Sequence, residues 1–155
     1  MSKLALLDTS ARPETPEQSE RRKPQIALAQ DGRFAEVPAL QFPVFVHRNR
    51  QHDEALKRRV RVMAEETGAE AFLRQQKAIM TRPDMRPLLA SIACPTLVLV
   101  GDGDELTPPQ LSEEIAADIA GSRLVVVADC GHLSTMEQPE AVNWALIDWM
   151  ESTSN

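Results

Sequence analysis

The segment from Cys94 to Pro109 gives the strongest indication of the fold and reads C-P-T-L-V-L-V-G-D-G-D-E-L-T-P-P. Its apolar run, Thr96–Val100, is typical of a strand that is buried on both faces of a parallel sheet. Acidic residues follow this run directly, and Thr107 then stands at the N-cap position of a helix that begins with proline. The stretch therefore predicts a buried strand that delivers carboxylates to a sheet edge, followed by a helix.

A second strand and a second helix repeat this order later in the chain. The apolar run Leu124–Val127 leads into a C-G-H motif that ends at His132, and Pro139 begins an amphipathic helix. A strand–helix–strand–helix order implies parallel strands joined by crossover helices. Because the carboxyl ends of parallel strands meet at one edge of the sheet, we expect the acids and His132 to lie close together.

A long helical region separates the first strand from these two. Leu4–Leu7 is a short apolar run that predicts a third buried strand. Residues 11–24, which include Pro24, are expected to be a linker with one helical turn at Glu17–Arg22. Residues 25–80 are helical in pattern, with a separate short helix at Ile26–Ala29 and a capping box at Thr67–Glu70. The predicted fold class is α/β, with a small parallel sheet of about three strands, flanking helices and a helical cap insertion.

The residues that could carry chemistry follow the two later strands. They are Asp102, Asp104 and Glu105 after the first of these strands and His132 after the second. A catalytic histidine needs a carboxylate on its second ring nitrogen, because the carboxylate holds the tautomer and stabilises the charged ring. Either kind of residue alone is explained better as an ordinary turn or loop residue. An acid and a histidine at the ends of neighbouring strands together favour a functional origin.

The segments 95–109 and 125–142 resemble the α/β-hydrolase family. They are similar to the acid-bearing loop after its seventh strand and the histidine-bearing loop after its eighth. The resemblance implies that Asp104, three residues after Gly101, is the acid and that His132 is the general base of a Ser-His-Asp mechanism. The G-H followed by E-x-P-E is similar to esterases, enol-lactonases and haloperoxidase-like members. The implied activity is hydrolysis of an ester, a lactone or a related carbonyl substrate.

The resemblance also assigns the rest of the chain. Leu4–Ser10 is similar to the sixth strand of the family, and residues 11–87 are similar to the helical cap inserted after it. Residues 1–10 and 88–155 would then form the core. The whole chain, 1–155, is on this basis expected to be a single incomplete α/β-hydrolase domain, equivalent to the region from strand six to strand eight.

The nucleophile of that family has no counterpart in this sequence. The family carries it in a G-x-S-x-G elbow on the fifth strand, ahead of everything seen here, and none of the 6 glycines forms such a motif. We therefore expect the C-terminal part of a hydrolase, beginning just after the elbow and inactive or nearly so alone. Ser10, Cys130 and Ser134 are the residues that could serve as nucleophile instead. For Cys130 a buried structural thiol is the commoner role, and for Ser134 a hydroxyl that caps local backbone is the commoner role.

A non-catalytic remnant is the alternative. The strand at Leu4–Leu7 would expose an apolar edge where the fifth strand of the family belongs. That edge could pair with a second copy of the chain, giving a homodimer, or with a separately encoded N-terminal fragment that completes the site in trans. A truncated reading frame without a selected function is the third alternative.

Composition and charge exclude several classes of protein. The net charge is −6, Tyr is absent and aromatic residues make up 4%, so a nucleic-acid partner is not expected. No apolar stretch is long enough to cross a membrane and no signal peptide is recognised, which predicts a cytoplasmic protein. His47 and His52 are five residues apart and do not share a helical face, so neither a metal site nor a cofactor is expected.

Several large apolar side chains of the predicted cap could line the roof of a substrate pocket. Packing within the cap explains most of them better, and the basic run from Arg48 to Arg61 is explained best as a solvated surface. The side chains in question are Phe34, Phe42, Phe45 and Met80.

Overall fold

The structure, a computed structural model, describes residues 2–152 and contains a three-stranded parallel sheet. The strands are β1 (Leu4–Leu7), β2 (Thr96–Gly101) and β3 (Arg123–Val127), in the spatial order β1-β2-β3. Leu6 of β1 lies opposite Val98 of β2. Every residue of β2 is buried, as expected for the middle strand. The predicted fold class, α/β with a small parallel sheet and flanking helices, is confirmed.

Helices account for much of the rest of the described chain. In chain order they are α1 (Pro16–Gln30), α2 (Val37–Phe45), α3 (Glu54–Thr67), α4 (Ala69–Met80), α5 (Arg86–Leu89), α6 (Pro109–Asp118), α7 (Ser134–Glu137) and α8 (Pro139–Ser152), with 3₁₀ turns at Phe34–Glu36 and Arg48–Arg50. Within residues 2–152, no helix combines the length and the apolar character needed to cross a membrane. The sequence predicts a tail over Ser152–Asn155, but Ser152 is the last residue of α8, and residues 153–155 lie outside the described chain.

The chain forms two compact units. The core unit contains residues 2–11, 44–51 and 85–152, and the helical unit contains residues 12–43 and 52–84. The short segment Val44–Gln51 therefore belongs to the core unit, although the chain on both sides of it belongs to the helical unit. The assignment of one incomplete domain with residues 11–87 as its cap stays a prediction.

Apolar side chains on both faces of β2 form the interior of the core unit. Val98 lies in one cluster with Ile115 of α6, and Leu99 lies in another with Val142 of α8. Successive residues of a strand point to opposite faces of the sheet, so this alternation places a helix on each side. A continuous apolar run in a parallel strand requires such cover on both faces.

Helix α1 corrects the prediction for the start of the helical unit. Instead of a turn at Glu17–Arg22 and a separate helix at Ile26–Ala29, the structure has one helix that continues through Pro24. The Thr15 hydroxyl accepts from the Gln18 amide, and the Gln18 side chain accepts from the Thr15 amide. Proline removes one intrahelical hydrogen bond, and this capping box together with packing against α4 offsets the cost.

The capping box predicted at Thr67–Glu70 is wrong. Thr67 is the last residue of α3, and its hydroxyl donates to the carbonyl of Met63 at 2.7 Å. Gly68 then joins α3 to α4 with a φ of 78°, a left-handed conformation that favours glycine. The threonine therefore belongs to a helix end, because the glycine after it allows the chain to turn at once into the next helix.

Candidate active site

Asp104 and His132 are in hydrogen-bond contact at one edge of the sheet. Asp104 follows the end of β2, and His132 follows the end of β3. The Oδ2 of Asp104 lies 2.9 Å from Nδ1 of His132. The Asp104 side chain is completely buried, whereas that of His132 keeps 25% of its surface exposed. The structure thus brings the two predicted site residues together, because adjacent parallel strands end at the same edge.

A tight turn holds the carboxylate of Asp104. Its Oδ1 accepts from the backbone amides of Leu106 and Thr107, each at 2.9 Å. The Thr107 hydroxyl donates to Oδ2 at 2.7 Å and lies 3.2 Å from Nδ1 of His132. The prediction that Thr107 is a helix N-cap is wrong, because α6 begins at Pro109 without a side-chain cap. The threonine hydroxyl contacts the carboxylate instead.

These contacts keep Asp104 ionised at neutral pH. Burial raises the pKa of Asp104, but the hydrogen bond and charge of His132, together with the amide and hydroxyl of Thr107, outweigh burial and lower it overall. An ionised carboxylate can only accept, so Nδ1 of His132 carries the proton and Nε2 is the basic nitrogen. In this arrangement an imidazole can accept a proton from a third group.

The other two acids after β2 have different surroundings. The Oδ1 of Asp102 accepts from the Cys130 amide at 3.1 Å, which ties the end of β2 to the loop before His132. Glu105 is exposed. Among these three acids, Asp104 is therefore the one bonded to the histidine.

Asp8 is a further carboxylate at this edge, and sequence reasoning missed it. It follows β1 with a left-handed φ of 47°. Its Oδ1 accepts from the Gly101 amide at 3.3 Å, and its Oδ2 accepts from the Ser134 hydroxyl. Burial raises the pKa of Asp8, and the Ser134 hydrogen bond and the charge of His132 offset this only in part. The signal was an acid directly after an apolar strand, as in β2.

We expect Asp8→Asn to stabilise the protein increasingly, relative to the wild type, as the pH rises. A carboxyl with a raised folded pKa contributes stability below its unfolded pKa, and that contribution is lost as the pH rises through the folded pKa. Asparagine does not titrate, tolerates a left-handed backbone and keeps an oxygen for the Gly101 amide. The measurement is the free energy of unfolding in urea, at intervals from about pH 3 to about pH 8.

Asp129→Asn is the matched control for this series. Asp129 also has a positive φ, 50°, but its position is exposed. The difference in free energy of unfolding between Asp8→Asn and the wild type should change with pH. A difference that stays constant would contradict the assignment of Asp8 as a carboxyl whose pKa is raised by burial.

The three residues that could replace the nucleophile differ in their burial and their hydrogen bonds. Ser134 is buried at the start of α7 and donates to Asp8, so the prediction that it caps local backbone is wrong. Cys130 is fully buried, and burial, with the charges of Glu137 and Asp8, raises the pKa of its thiol to about 12. A thiol that stays protonated is a poor nucleophile. Ser10 lies partly exposed after β1.

Two glycines allow the strand-end loops to pack closely. A Cβ at Gly101 would lie 2.3 Å from the carbonyl oxygen of Cys130. A Cβ at Gly131 would lie 2.4 Å from the backbone nitrogen of His47. Side-chain carbons do not approach backbone atoms so closely, so this backbone arrangement requires glycine at both positions. The glycines of the G-D and G-H motifs therefore have a steric explanation.

The segment 44–51 places two rings in the core unit. The Phe45 ring centroid lies 6.2 Å from that of His132. His47 is 7% exposed, and its Nδ1 accepts from the Asn49 amide at 3.3 Å, whereas His52 is exposed in the helical unit. Among residues 2–152, no group of three or more His, Cys, Asp or Glu side chains is placed to hold a metal ion.

The other aromatic candidates lie in the helical unit. The rings of Phe34 and Phe72 are 5.3 Å apart, and Phe42 is 1% exposed. The Phe34–Phe72 contact is packing within the helical unit, the interpretation that the sequence favoured for most of this set.

Comparison with known proteins identifies the lineage. The sequence model of the alpha/beta hydrolase family matches residues 4–145, which include β1, β2, β3 and both site residues. The chain belongs to the alpha/beta hydrolase family. The resemblance drawn from the two strand-end motifs is thereby confirmed.

Solved structures share the hydrolase fold over almost the whole chain. A thermophilic esterase from Thermogutta terrifontis superposes with a TM-score of 0.89 at 32% identity, covering 99% of this chain and 57% of that one. The enol-lactonase from Burkholderia xenovorans LB400 superposes with a TM-score of 0.84 at 25% identity, covering 97% of this chain and 56% of that one.

Curated relatives match over shorter regions. The 2-hydroxy-6-oxononadienedioate/2-hydroxy-6-oxononatrienedioate hydrolase of Klebsiella pneumoniae is 34% identical over 68 residues, which are 44% of this chain and 24% of that protein. The matched region is 24% of the length of this hydrolase, and 30% and 33% of the lengths of two other curated relatives. The chain therefore corresponds to a part of these proteins.

Proposed function

We propose that the chain carries the acid–base part of a hydrolase active site for an ester, a lactone or a related carbonyl substrate. His132 is the general base and then the general acid, and Asp104 orients it. The observation that carries the proposal is the 2.9 Å contact between Oδ2 of Asp104 and Nδ1 of His132. It joins a buried, ionised carboxylate to a partly exposed imidazole, which is the geometry that this chemistry needs.

The proposed mechanism uses the two nitrogens of His132 differently. Nδ1 keeps its proton and donates it in the hydrogen bond to Asp104. Nε2 takes the proton of the nucleophile as that group attacks the carbonyl carbon, and later returns a proton to the leaving oxygen. The Asp104 carboxylate stabilises the imidazolium that forms between these steps and does not take its proton.

The similar proteins support a carbonyl substrate. The two solved structures are an esterase and an enol-lactonase, names that denote hydrolysis of ester and lactone bonds. In this family the fold is shared among many activities, and the loops around the site set the substrate. The proposal therefore names a bond type and not one compound.

We further propose that the chain alone does not hydrolyse such substrates. Its sequence contains no G-x-S-x-G motif, and burial raises the pKa of the Cys130 thiol to about 12. A general base without a nucleophile retains only a small part of the rate of a complete triad.

The site would be completed by a strand added beside β1. Within residues 2–152, β1 has a ladder partner, β2, on one side only. A strand on its other side would extend the sheet at the position where the family carries the nucleophile elbow. An N-terminal segment supplies such a strand, whereas a second copy of this chain brings no elbow. The N-terminal segment is therefore the partner that we favour.

The test is hydrolysis of p-nitrophenyl acetate by the purified chain and by its His132→Ala variant. We expect both rates to stay close to the uncatalysed background, because neither protein contains the G-x-S-x-G nucleophile for His132 to activate. Hydrolysis by the chain well above background, lost in the variant, would contradict the proposal that the chain alone is inactive.

A further inference from the structure

Glu137 places a buried carboxylate beside the loop that carries His132. It ends α7 and is only 3% exposed. Its Oε2 accepts from the His47 amide at 2.7 Å, and its Oε1 accepts from the amides of Gly131 at 3.0 Å and Leu133 at 3.3 Å. A buried carboxylate is costly unless hydrogen bonds replace its water, and these backbone amides do so.

The same contacts fix the backbone on both sides of His132. Gly131 and Leu133 donate to Glu137, and the His132 amide donates to the Phe45 carbonyl at 2.9 Å. Three consecutive amides are thus held. Because Glu137 also binds the amide of His47, its carboxylate joins the histidine loop to the segment 44–51. A rotation of the loop would break several of these bonds at once.

Close packing leaves the loop little space for another position. A Cβ at Gly131 would lie 2.4 Å from the His47 nitrogen and 2.9 Å from Oε1 of Glu137. The hydrogen bonds and the steric limits therefore select one backbone path for residues 131–133.

We propose that Glu137 is a positioning residue for His132, a role that rests on the proposed function of the Asp104–His132 pair. Its carboxylate sets the backbone of residues 131–133, and this places Nδ1 of His132 against Oδ2 of Asp104. A misplacement of about 1 Å can cost a catalytic group about 10²-fold in rate. A glutamate that served only the stability of α7 would leave the Asp104–His132 bond unchanged when replaced.

The test is detection by NMR of the Nδ1 proton of His132 in the full chain. The chain has 3 histidines, and Asp104→Asn identifies the ring proton that depends on Asp104. Glu137→Gln keeps the size of the side chain and replaces a charged acceptor by an amide. We expect it to speed exchange of this proton with water by about tenfold, as for loss of one hydrogen bond to a charged group. Glu140→Gln, at an exposed position of α8, is the control.

The outcomes separate the two proposals. If the wild type shows no ring proton that depends on Asp104, the pairing of Asp104 with His132 fails, and the proposed function fails with it. If the wild type shows that proton and Glu137→Gln lowers the melting temperature without changing its exchange, Glu137 has a structural role only. The positioning proposal alone is then overturned.

A measurement on the wild type covers the case in which Glu137→Gln does not fold. If Glu137 holds the loop as one unit, the His132 ring proton and the amides of Gly131 and Leu133 share one opening reaction. We expect their protection factors to agree within about threefold. A ring proton that exchanges more than about tenfold faster than both amides would overturn the proposal.

Discussion

Replacing His132 by alanine is expected to lower ester hydrolysis by a completed enzyme by about 10⁴-fold or more. The completed enzyme is a fusion in which this chain replaces the 57% of the Thermogutta terrifontis esterase that it matches. Alanine removes the base that takes the proton of the nucleophile. Nitrophenolate leaves without a proton and its release ends the acylation half-reaction, so kcat/KM reports the attack step in which His132 takes the proton of the nucleophile. The measurement is kcat/KM for p-nitrophenyl acetate.

Two controls make this result interpretable. Glu140→Gln removes an exposed acid from α8 and should leave kcat/KM unchanged. The circular dichroism and elution volume of each fusion must match those of the parent fusion. A correctly folded His132→Ala fusion that hydrolyses the ester as fast as its parent would show that His132 is not the base.

Replacing Gly101 by alanine is expected to lower the free energy of unfolding by about 3 kcal/mol, the upper end of the usual cost of overpacking a core. The added Cβ would lie 2.3 Å from the carbonyl oxygen of Cys130 and 2.4 Å from that of Gly131. Both neighbours are backbone atoms, so the loop that leads to His132 must move. The measurement is urea unfolding followed by circular dichroism.

Gly121→Ala is the control for this prediction. A Cβ at Gly121 would have nothing within 4 Å, but its φ of 73° is left-handed. The expected cost is about 1 kcal/mol, from the backbone conformation alone. Equal losses of stability at Gly101 and Gly121 would show that the strand-end loops do not approach as closely as the structure places them.

The sheet and the Asp104–His132 pair could be predicted because both depend on local patterns. A continuous apolar run such as Thr96–Val100 fits a strand buried on both faces, and a glycine followed by acids ends it. The parallel arrangement then follows from the order of strands and helices. Side chains that follow neighbouring parallel strands lie at one edge of the sheet, and the family resemblance then selected Asp104 among the three acids after β2.

The features that the sequence did not reveal depend on contacts between distant parts of the chain. Asp8 bonds Ser134, 126 residues later, and Glu137 bonds the amide of His47, 90 residues earlier. No spacing rule relates such positions. Proline in a helix interior is costly, which favours a linker over the residues up to Pro24, yet the packing of α1 against α4 offsets that cost.

The sequence also did not predict that segment 44–51 belongs to the core unit, because the contacts that place it there come from distant parts of the chain. Its neighbours along the chain belong to the helical unit, and its own residues resemble the rest of the predicted cap. The contacts that place it are made by backbone groups: the Phe45 carbonyl accepts from the His132 amide, and the His47 amide donates to Glu137. Because segment 44–51 makes these contacts with its backbone groups, its own residue types do not reveal them.

We propose that Asp104 acts through His132, and a double-mutant comparison in the fusion tests this coupling. The rates of p-nitrophenyl acetate hydrolysis are measured for Asp104→Asn, for His132→Ala and for both changes together. If the two residues act as one unit, the double variant should match His132→Ala within about twofold. A double variant slower than His132→Ala by the full factor that Asp104→Asn costs alone would contradict the account.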